Sequence, residues 1–319
     1  GEHGGVFQAH HHEQVVPVLL NALKDQSTRL QAHAAMAFVT FIEMFDSELL
    51  EPYLNGLLNA LFDRLQHGKR SVQEHAVTAI ASVAESAEGH FKQYYDIIMP
   101  VLKQILYSLC DKKDRLFRAK TLECITLIGM AVGKEKFGED AKEVMKLMVD
   151  AQSANLDPDD PLRSYMLQAW ARICSALGND FAPYLEYVMP SLMYSAQLKA
   201  EVVLPYPEKG DEQNGNLDDE DEEDENVVTW ELEDHRVKVH TSILEEKTTA
   251  VNMMAHFAKD LQLAFLPYVE AVINILKPLM LITGTVHDDL RAYALSAMPD
   301  LIRCIMRGAR ATQTQESHD

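Results

Sequence analysis

The sequence predicts an all-α protein built from helical hairpins stacked in one array, and three observations carry that prediction. Only 14 Gly and 12 Pro punctuate 319 residues that are 47% hydrophobic. So few turn residues in a chain rich in Leu, Ala and Met favour helices over a many-stranded sheet. Apolar residues recur with the helical period from about His11 to Arg307, with a single interruption. Two kinds of helix alternate along that stretch, and each kind returns at a near-constant interval.

The first kind carries an aromatic residue, often after Pro, and then an apolar run. It is seen at Pro52-Tyr53-Leu54, at Tyr95 before Ile97-Ile98-Met99-Pro100, at Pro183-Tyr184-Leu185 and at Pro267-Tyr268-Val269. Tyr53 and Tyr95 are 42 residues apart, Tyr95 and Tyr184 are 89, and His12 and Ala141 fill the matching places in two weaker copies. The second kind opens on a polar cap followed by an apolar anchor. The anchors Leu30, Val72, Leu116 and Leu162 step by 42, 44 and 46 residues; Leu244 follows after 82 and Leu290 after a further 46.

Each unit is therefore a helical hairpin of about 40–47 residues, the interval of HEAT and armadillo repeats. A lone hairpin cannot bury its apolar stripes, so neighbours stack into an α-solenoid, a curved superhelix with a concave inner surface. About six hairpins fit the chain, and no sheet of more than two strands is expected. Pro17, Pro52, Pro100, Pro183, Pro190, Pro267 and Pro278 fall in the first helix of a pair. Interior Pro bends a helix, which places these on the convex side and the second helices on the concave side.

The 82-residue step leaves room for an insertion inside one hairpin. The organisation is thus HEAT repeats over 1–198, an acidic insertion with an extended segment over 199–240, HEAT repeats over 241–310 and a polar tail over 311–319. Between Glu208 and Glu225 stand 11 acidic residues and one Lys. Asp218, Asp219, Glu220, Asp221, Glu222, Glu223, Asp224 and Glu225 form an unbroken run that cannot pack and is expected to stay extended. Val227-Val228-Thr229-Trp230-Glu231-Leu232 and Val237-Lys238-Val239-His240 alternate in the strand manner, so a short extended segment should lead into a helix from Thr241. The run interrupts a hairpin rather than joining two, and two readings stand beside each other: a solvated linker, or a contact for basic protein surfaces.

A formal net charge of −20 disfavours a general affinity for nucleic acid or anionic lipid and suits basic partners. Cys110, Cys124, Cys174 and Cys304 lie far apart without a CxxC pair, as expected of buried reduced thiols in an intracellular protein. The opening GEHGGVFQAHHH has neither the basic start nor the apolar core of a signal peptide, and no run of 18 apolar residues suggests a membrane span. The chain lacks an initiating Met and is expected to be part of something longer.

A search for chemistry excludes more than it finds. His10, His11 and His12 with His33 or His75 do not make a metal site, because the last two share a repeat position and read as packing residues. Asp157-Pro158-Asp159-Asp160 lacks the Gly and closing Glu of a calcium loop and reads as a helix cap. Neither a phosphate loop nor a nucleophile elbow is present. No catalytic constellation, metal site or cofactor is expected, so the protein is read as a non-enzyme. The informative polar residues lie in the second helices. Ten and thirteen residues past the anchors stand Thr40 and Glu43, then Ser82 and Glu85, three apart and so on one helix face. Asp46 and Glu88 extend the stripe, and all six are candidate contacts for a basic ligand.

Several segments resemble the importin beta-3 branch of the karyopherin-beta (importin beta) family. They are Val132-Gly133-Lys134-Glu135-Lys136-Phe137, Glu143 to Met148, Asp159-Asp160-Pro161, Ser164-Tyr165-Met166 and Ala169 to Cys174. Arg29 to Ala35, Pro52-Tyr53-Leu54, Tyr94-Tyr95-Asp96, Leu244 to Lys247 and His287-Asp288 are similar too. The resemblance covers nearly the whole chain and includes the acidic insertion. It implies a nuclear import receptor of HEAT repeats that carries basic, lysine-rich localisation signals through nuclear pores. It further implies release by the GTP form of the small GTPase Ran, contact with pore FG-repeat proteins, and shuttling between cytoplasm and nucleus. The match is to the middle of such receptors, so the repeats that hold Ran most tightly are expected to lie outside this chain. The family tends to carry Asn before the acidic residue where this chain has Thr40 before Glu43; the carboxylate is kept and the amide is not. The alternative is a HEAT scaffold subunit that assembles an enzyme complex.

Overall fold

The computed structural model describes residues 4–43, 47–108, 111–153, 160–199, 201–205, 227–231, 235–281 and 288–316. It divides into two compact units, Gly1–Phe181 and Ala182–Asp319.

The first unit holds eight helices among the described residues: α1 (Gly4–Leu23), α2 (Thr28–Ile42), α3 (Ser47–His67), α4 (Arg70–Ala87), α5 (Tyr95–Ser108), α6 (Arg115–Val132), α7 (Lys134–Ser153) and α8 (Leu162–Leu177). Consecutive helices pair into hairpins, and the second helices pack on one another in order, α2 on α4, α4 on α6 and α6 on α8. Their sequences explain this. α4 buries Val72, Ala76, Val77, Ala79, Ile80, Ala81, Val83, Ala84 and Ala87, a mix of small and branched residues that lets neighbours approach on several sides. Each fully buried Leu, Ile or Phe stabilises the stack by about 1.5–3 kcal/mol. The starts of α2 and α8 are capped by nearby side chains. Ser27 Oγ accepts from the Leu30 N–H, and Asp160 Oδ1 accepts from the Leu162 N–H at 2.9 Å.

The repeat register differs from the sequence reading at two of its anchors. Val72 and Leu162 are buried, but Leu30 and Leu116 are 43% and 42% exposed. The inward positions are one residue later, at Gln31 and Phe117. At the first of them Gln31 can turn inward because it satisfies its amide by donating from Nε2 to the Asp25 carbonyl at 2.6 Å. Hydropathy alone therefore selects the wrong residue.

Two recurring devices tie one hairpin to the next. Arg70 pairs with Asp114 at 2.7 Å and Arg115 with Asp160 at 3.2 Å, so the nearly buried carboxylate at the start of one second helix is neutralised by the helix before it. Arg70 also lies 4.4 Å over the Phe117 ring. On the first helices, Lys103 Nζ donates to Asp140 at 2.6 Å and to Glu143 at 2.7 Å, and the Tyr95 hydroxyl donates to Asp140. Burial and the hydrogen bond to Asp140 push the Tyr95 hydroxyl far above its ordinary pKa, so it remains a donor.

Three of the second helices, α4, α6 and α8, also end alike, whereas α2 ends on Glu43 in the right-handed helical region. Glu88 after α4 (φ 46°, ψ −127°) and Gly178 after α8 (φ 57°, ψ −132°) adopt almost the same left-handed conformation, and Gly133 after α6 has φ 79°. A wholly buried phenylalanine follows three or four residues later at Phe91, Phe137 and Phe181, pinning the turn from beneath.

In the second unit α9 (Leu185–Ala196), α10 (Thr241–Leu261), α11 (Val269–Met280) and α12 (Asp288–Glu316) make two more hairpins. α10 packs on α9 and α12, and α12 on α11. Ser195 Oγ donates to Glu246 at 2.6 Å. The stretch Ile243–Met280 is long and apolar enough by composition to cross a membrane, which the search for apolar runs did not reveal. It is nonetheless broken at Gln262, whose φ is 47°, and Val251, Met254, Phe257, Phe265, Val272 and Leu276 are core residues.

The insertion corrects the expectation of at most two strands. β1 (Glu201–Pro205), β2 (Val227–Glu231) and β3 (His235–His240) form a three-stranded antiparallel sheet in the order β1-β3-β2. Val203 pairs with Val237 and Trp230 also pairs with Val237. β1 escaped notice because it is five residues long, abuts the preceding helical pattern and finds its partner some 30 residues on. The acidic run Asp218–Glu225 lies outside the described residues. Of the cysteines, Cys124, Cys174 and Cys304 are buried as expected; Cys110 lies outside the described residues. Asp160 caps α8 as foreseen, while Asp157 and Asp159 also fall outside. His33 is exposed rather than packed.

Close approach of α6 and α7 depends on Gly129, where a Cβ would stand 2.4 Å from the Phe137 ring. Gly129→Ala should destabilise the protein by about 1–3 kcal/mol through overpacking. Gly138→Ala, in open space within α7, should instead stabilise by about 0.5–1 kcal/mol. Thermal unfolding of the two variants gives shifts of opposite sign if this packing holds.

Candidate functional site

Four of the six predicted contacts come together. Glu43, Ser82, Glu85 and Glu88 line one recess of about 630 Å³, with Val39, Ser47 and Ser86 completing its wall. The recess lies where α2 and α4 end side by side. Glu43 is the last cap of α2, its N–H donating to the Val39 carbonyl at 3.2 Å. Ser86 Oγ donates to the Ile42 carbonyl at 3.1 Å, so α4 satisfies an orphan carbonyl at the end of α2 and fixes the two helix ends against each other. Ser82 Oγ bonds back to the Thr78 carbonyl at 3.3 Å.

Thr40 is exposed but does not line the recess, where its neighbour Val39 stands instead. Asp46 lies outside the described residues, as does the acidic run. Ser47, Ser86 and Val39 were missed. Ser86 was findable: it stands 44 residues, one period, after Ile42, whose carbonyl it reaches.

The electrostatics of the recess have one sign. The C-terminal end of a helix carries about half a negative charge, and carboxylates there are unfavourable by about 0.3–1 kcal/mol each. Three of them nevertheless gather at two adjacent helix ends. Among the described residues none of the three takes part in an ion pair. Glu43, Glu85 and Glu88 are all exposed, so a cationic ligand can reach them. Among the described residues no group of three or more His, Cys, Asp or Glu is arranged to hold a metal ion. The arrangement suits a larger ligand that brings ammonium or guanidinium groups on a chain.

Stacked hairpins of this period, with the second helices in one layer, define a HEAT-repeat solenoid. A family profile described as importin subunit beta-1-like, TPR repeats, matches residues 6–114 and 69–206. Importin subunit beta-3 of Saccharomyces cerevisiae is 38% identical over 306 residues, which are 96% of this chain and 27% of that protein. A probable importin-5 homolog of Dictyostelium discoideum is 27% identical over 72% of this chain and 19% of its own length. The crystal structure of Kap121p bound to Pho4p has a TM-score of 0.82 and 34% identity, covering 96% of this chain and 28% of that one. The structure of Kap121p bound to Nup53p has a TM-score of 0.81, again over 96% of this chain and 28% of that one. The chain belongs to the importin-beta (karyopherin-beta) family. It spans about a quarter of the length of the first of these relatives. These homologues are nuclear transport receptors rather than enzymes.

Glu88 stands where Gly133 and Gly178 stand in later hairpins, in a conformation that costs a non-glycine residue about 1–3 kcal/mol. Part of that is offset because glycine loses more freedom on folding. Glu88→Gly should therefore stabilise the protein by about 1 kcal/mol. Glu88→Ala, still strained, should gain little. Urea unfolding followed by circular dichroism separates the two; equal behaviour of Gly and Ala would show that the backbone at Glu88 is unstrained.

Proposed function

We propose that this chain is the cargo-binding portion of a nuclear import receptor. It takes a basic, lysine-rich segment of its cargo on the concave side of the second-helix layer, at the recess of Glu43, Glu85 and Glu88. The observation that carries this reading is the set of three unneutralised carboxylates converging on the negative ends of α2 and α4. Such a recess costs stability and repays it only when a cation arrives. Each exposed pair is worth about 0.2–1 kcal/mol, so useful affinity comes from several Lys contacts together. Thr40 and Asp46, three residues before and after Glu43 in the sequence, extend the contact to the next residues of the bound segment. The acidic run Asp218–Glu225 supplies a further contact for basic surfaces.

Membership of the importin-beta family supports the wider role. In the whole receptor, the GTP form of Ran releases cargo, FG-repeat proteins of the pore bind elsewhere on the solenoid, and the receptor shuttles between cytoplasm and nucleus. That Kap121p has been solved with Pho4p and with Nup53p supports a solenoid that accepts different partners. The chain needs no cofactor for this and contacts neither nucleic acid nor a bilayer directly.

Reversing two charges tests the reading. The double variant Glu43→Lys with Glu85→Lys should bind a lysine-rich peptide at least tenfold more weakly, about 1.4 kcal/mol. Its melting temperature should stay close to that of the parent, since exposed charges contribute little to folding. Added salt should weaken the parent steeply and the variant only slightly. Undiminished binding by the variant at low salt would remove this recess from the cargo site.

A further inference from the structure

Beyond the acidic recess, the exposed side of the second-helix layer carries a second polar cluster, on α6 and α8. We propose that Arg172, held by Glu123 and Gln168, is a main-chain clamp that takes a peptide carbonyl of the same extended segment whose basic residues occupy the recess. The inference rests on the cargo reading above and adds to it a contact that recognises backbone rather than charge.

Position comes first. Arg172 lies ten residues past the buried Leu162, as Ser82 lies ten past the buried Val72. Both anchors keep the register the structure shows, so the two side chains occupy corresponding places on helices two hairpins apart. Gln168 and Ser175, one turn to either side of Arg172, are exposed, which places Arg172 on the open side of α8.

Geometry and charge then select the ligand. Arg172 Nη2 donates to Glu123 Oε1 at 3.2 Å, across from α8 to α6, and to Gln168 Oε1 at 3.1 Å. Nη1 is buried and has no acceptor among the described residues. The guanidinium is thus neutralised by one carboxylate and still lacks one acceptor. A second carboxylate from a ligand would stand beside Glu123, and a lysine would face Arg172; a neutral carbonyl oxygen meets neither objection. The Arg172 side chain is 20% exposed, so a chain lying on the wall reaches its edge; in the proposed complex the planar group turns, exchanging part of its hold on Gln168, to bring the buried Nη1 to the carbonyl. Tyr165 lies in the same cluster. Burial, and after it the charge of Glu123, raises its pKa, so its hydroxyl remains a second neutral donor.

Spacing fixes which residue is clamped. Packed helices lie about 8–10 Å apart, so the step from α4 over α6 to α8 is about 16–20 Å. An extended chain advances about 3.3 Å per residue. The clamp therefore meets the segment about five or six residues from the lysines in the recess.

Three peptides and two variants test this by fluorescence anisotropy. One peptide is a short lysine-rich segment; the others extend it by eight neutral Ser and Ala residues, at the N-terminus or at the C-terminus. With the parent protein, one of the two extensions should bind about threefold to tenfold more tightly than the short peptide, as one extra ordinary hydrogen bond implies. Arg172→Gln and Arg172→Lys should both abolish that gain, leave the short peptide unchanged and leave the slope of affinity against salt unchanged. Arg172→Lys keeps a cation beside Glu123, so it guards against loss of fold, which melting temperatures check. Equal weakening of the short and extended peptides would mean that Arg172 merely holds α6 to α8, and would overturn the clamp. So would the absence of any gain from either extension, or a gain only when the extension carries Glu. Failure of the short peptide to bind the parent protein would overturn the cargo reading and the clamp with it, whereas failure of the clamp alone leaves short-peptide binding intact.

Discussion

A helical hairpin has two apolar stripes and can bury only one of them against itself. Everything else in this chain follows from how the second stripe is covered. In the first unit α4 and α6 are each flanked by second helices on both sides, and among the second helices of that unit they bury the largest share of their residues. The nearly buried Asp114 and Asp160 exist only because each meets an Arg from the hairpin before it. An unpaired carboxylate there would cost several kcal/mol. The stack is therefore cooperative: a hairpin supplies both the apolar cover and the counter-charge for its neighbour.

That arrangement divides each second helix into a side that must be conserved in shape and a side that is free to carry charge. Ala84 and Ala87 on α4 are wholly buried, whereas Glu85 between them points to the recess. Stability and recognition thus share a helix without sharing residues. The ends of the helices add a field that side chains can reinforce or cancel. At α2 and α4 they reinforce it, with Glu43 and Glu88 in the capping positions themselves. At α8 the polar side is instead balanced, Arg172 against Glu123. One wall therefore offers a charged and a neutral environment within a few helix widths.

The period and the number of hairpins were legible in the sequence because each depends on spacing, which survives individual substitutions. That Glu43 and Glu85 lie side by side follows from the same spacing. What was not legible depended on hydrogen bonds that hydropathy cannot see. Gln31 turns inward because its amide finds the Asp25 carbonyl, and the anchor at Leu30 was misplaced by one residue in consequence. The glycine-like turn at Glu88 was hidden by a residue type that ordinarily avoids it. The series Phe91, Phe137, Phe181 and Phe265 beneath these turns was present in the sequence all along, at steps of 46, 44 and 84 residues. It was overlooked beside the more conspicuous Tyr positions. β1 could not be read because its partner is distant and its five residues continue an apolar pattern.

The sheet order β1-β3-β2 has a topological consequence. β1 and β2 flank β3 on opposite edges, and both run antiparallel to it. β1 therefore finishes beside His235, at one end of β3, and β2 begins beside His240, at the other. The two attachment points are then about 20 Å apart, from strand spacing and rise per residue. The 21 residues from 206 to 226 have several times the contour length needed to join them. Doubling the length of a flexible loop adds only about 0.6 kcal/mol of closure entropy, and a cost of that kind falls on the sheet rather than on the hairpins. The number of carboxylates between β1 and β2 is accordingly a quantity that insertion and deletion can vary almost without restraint, a dial for total charge mounted on a frame that does not feel it turn.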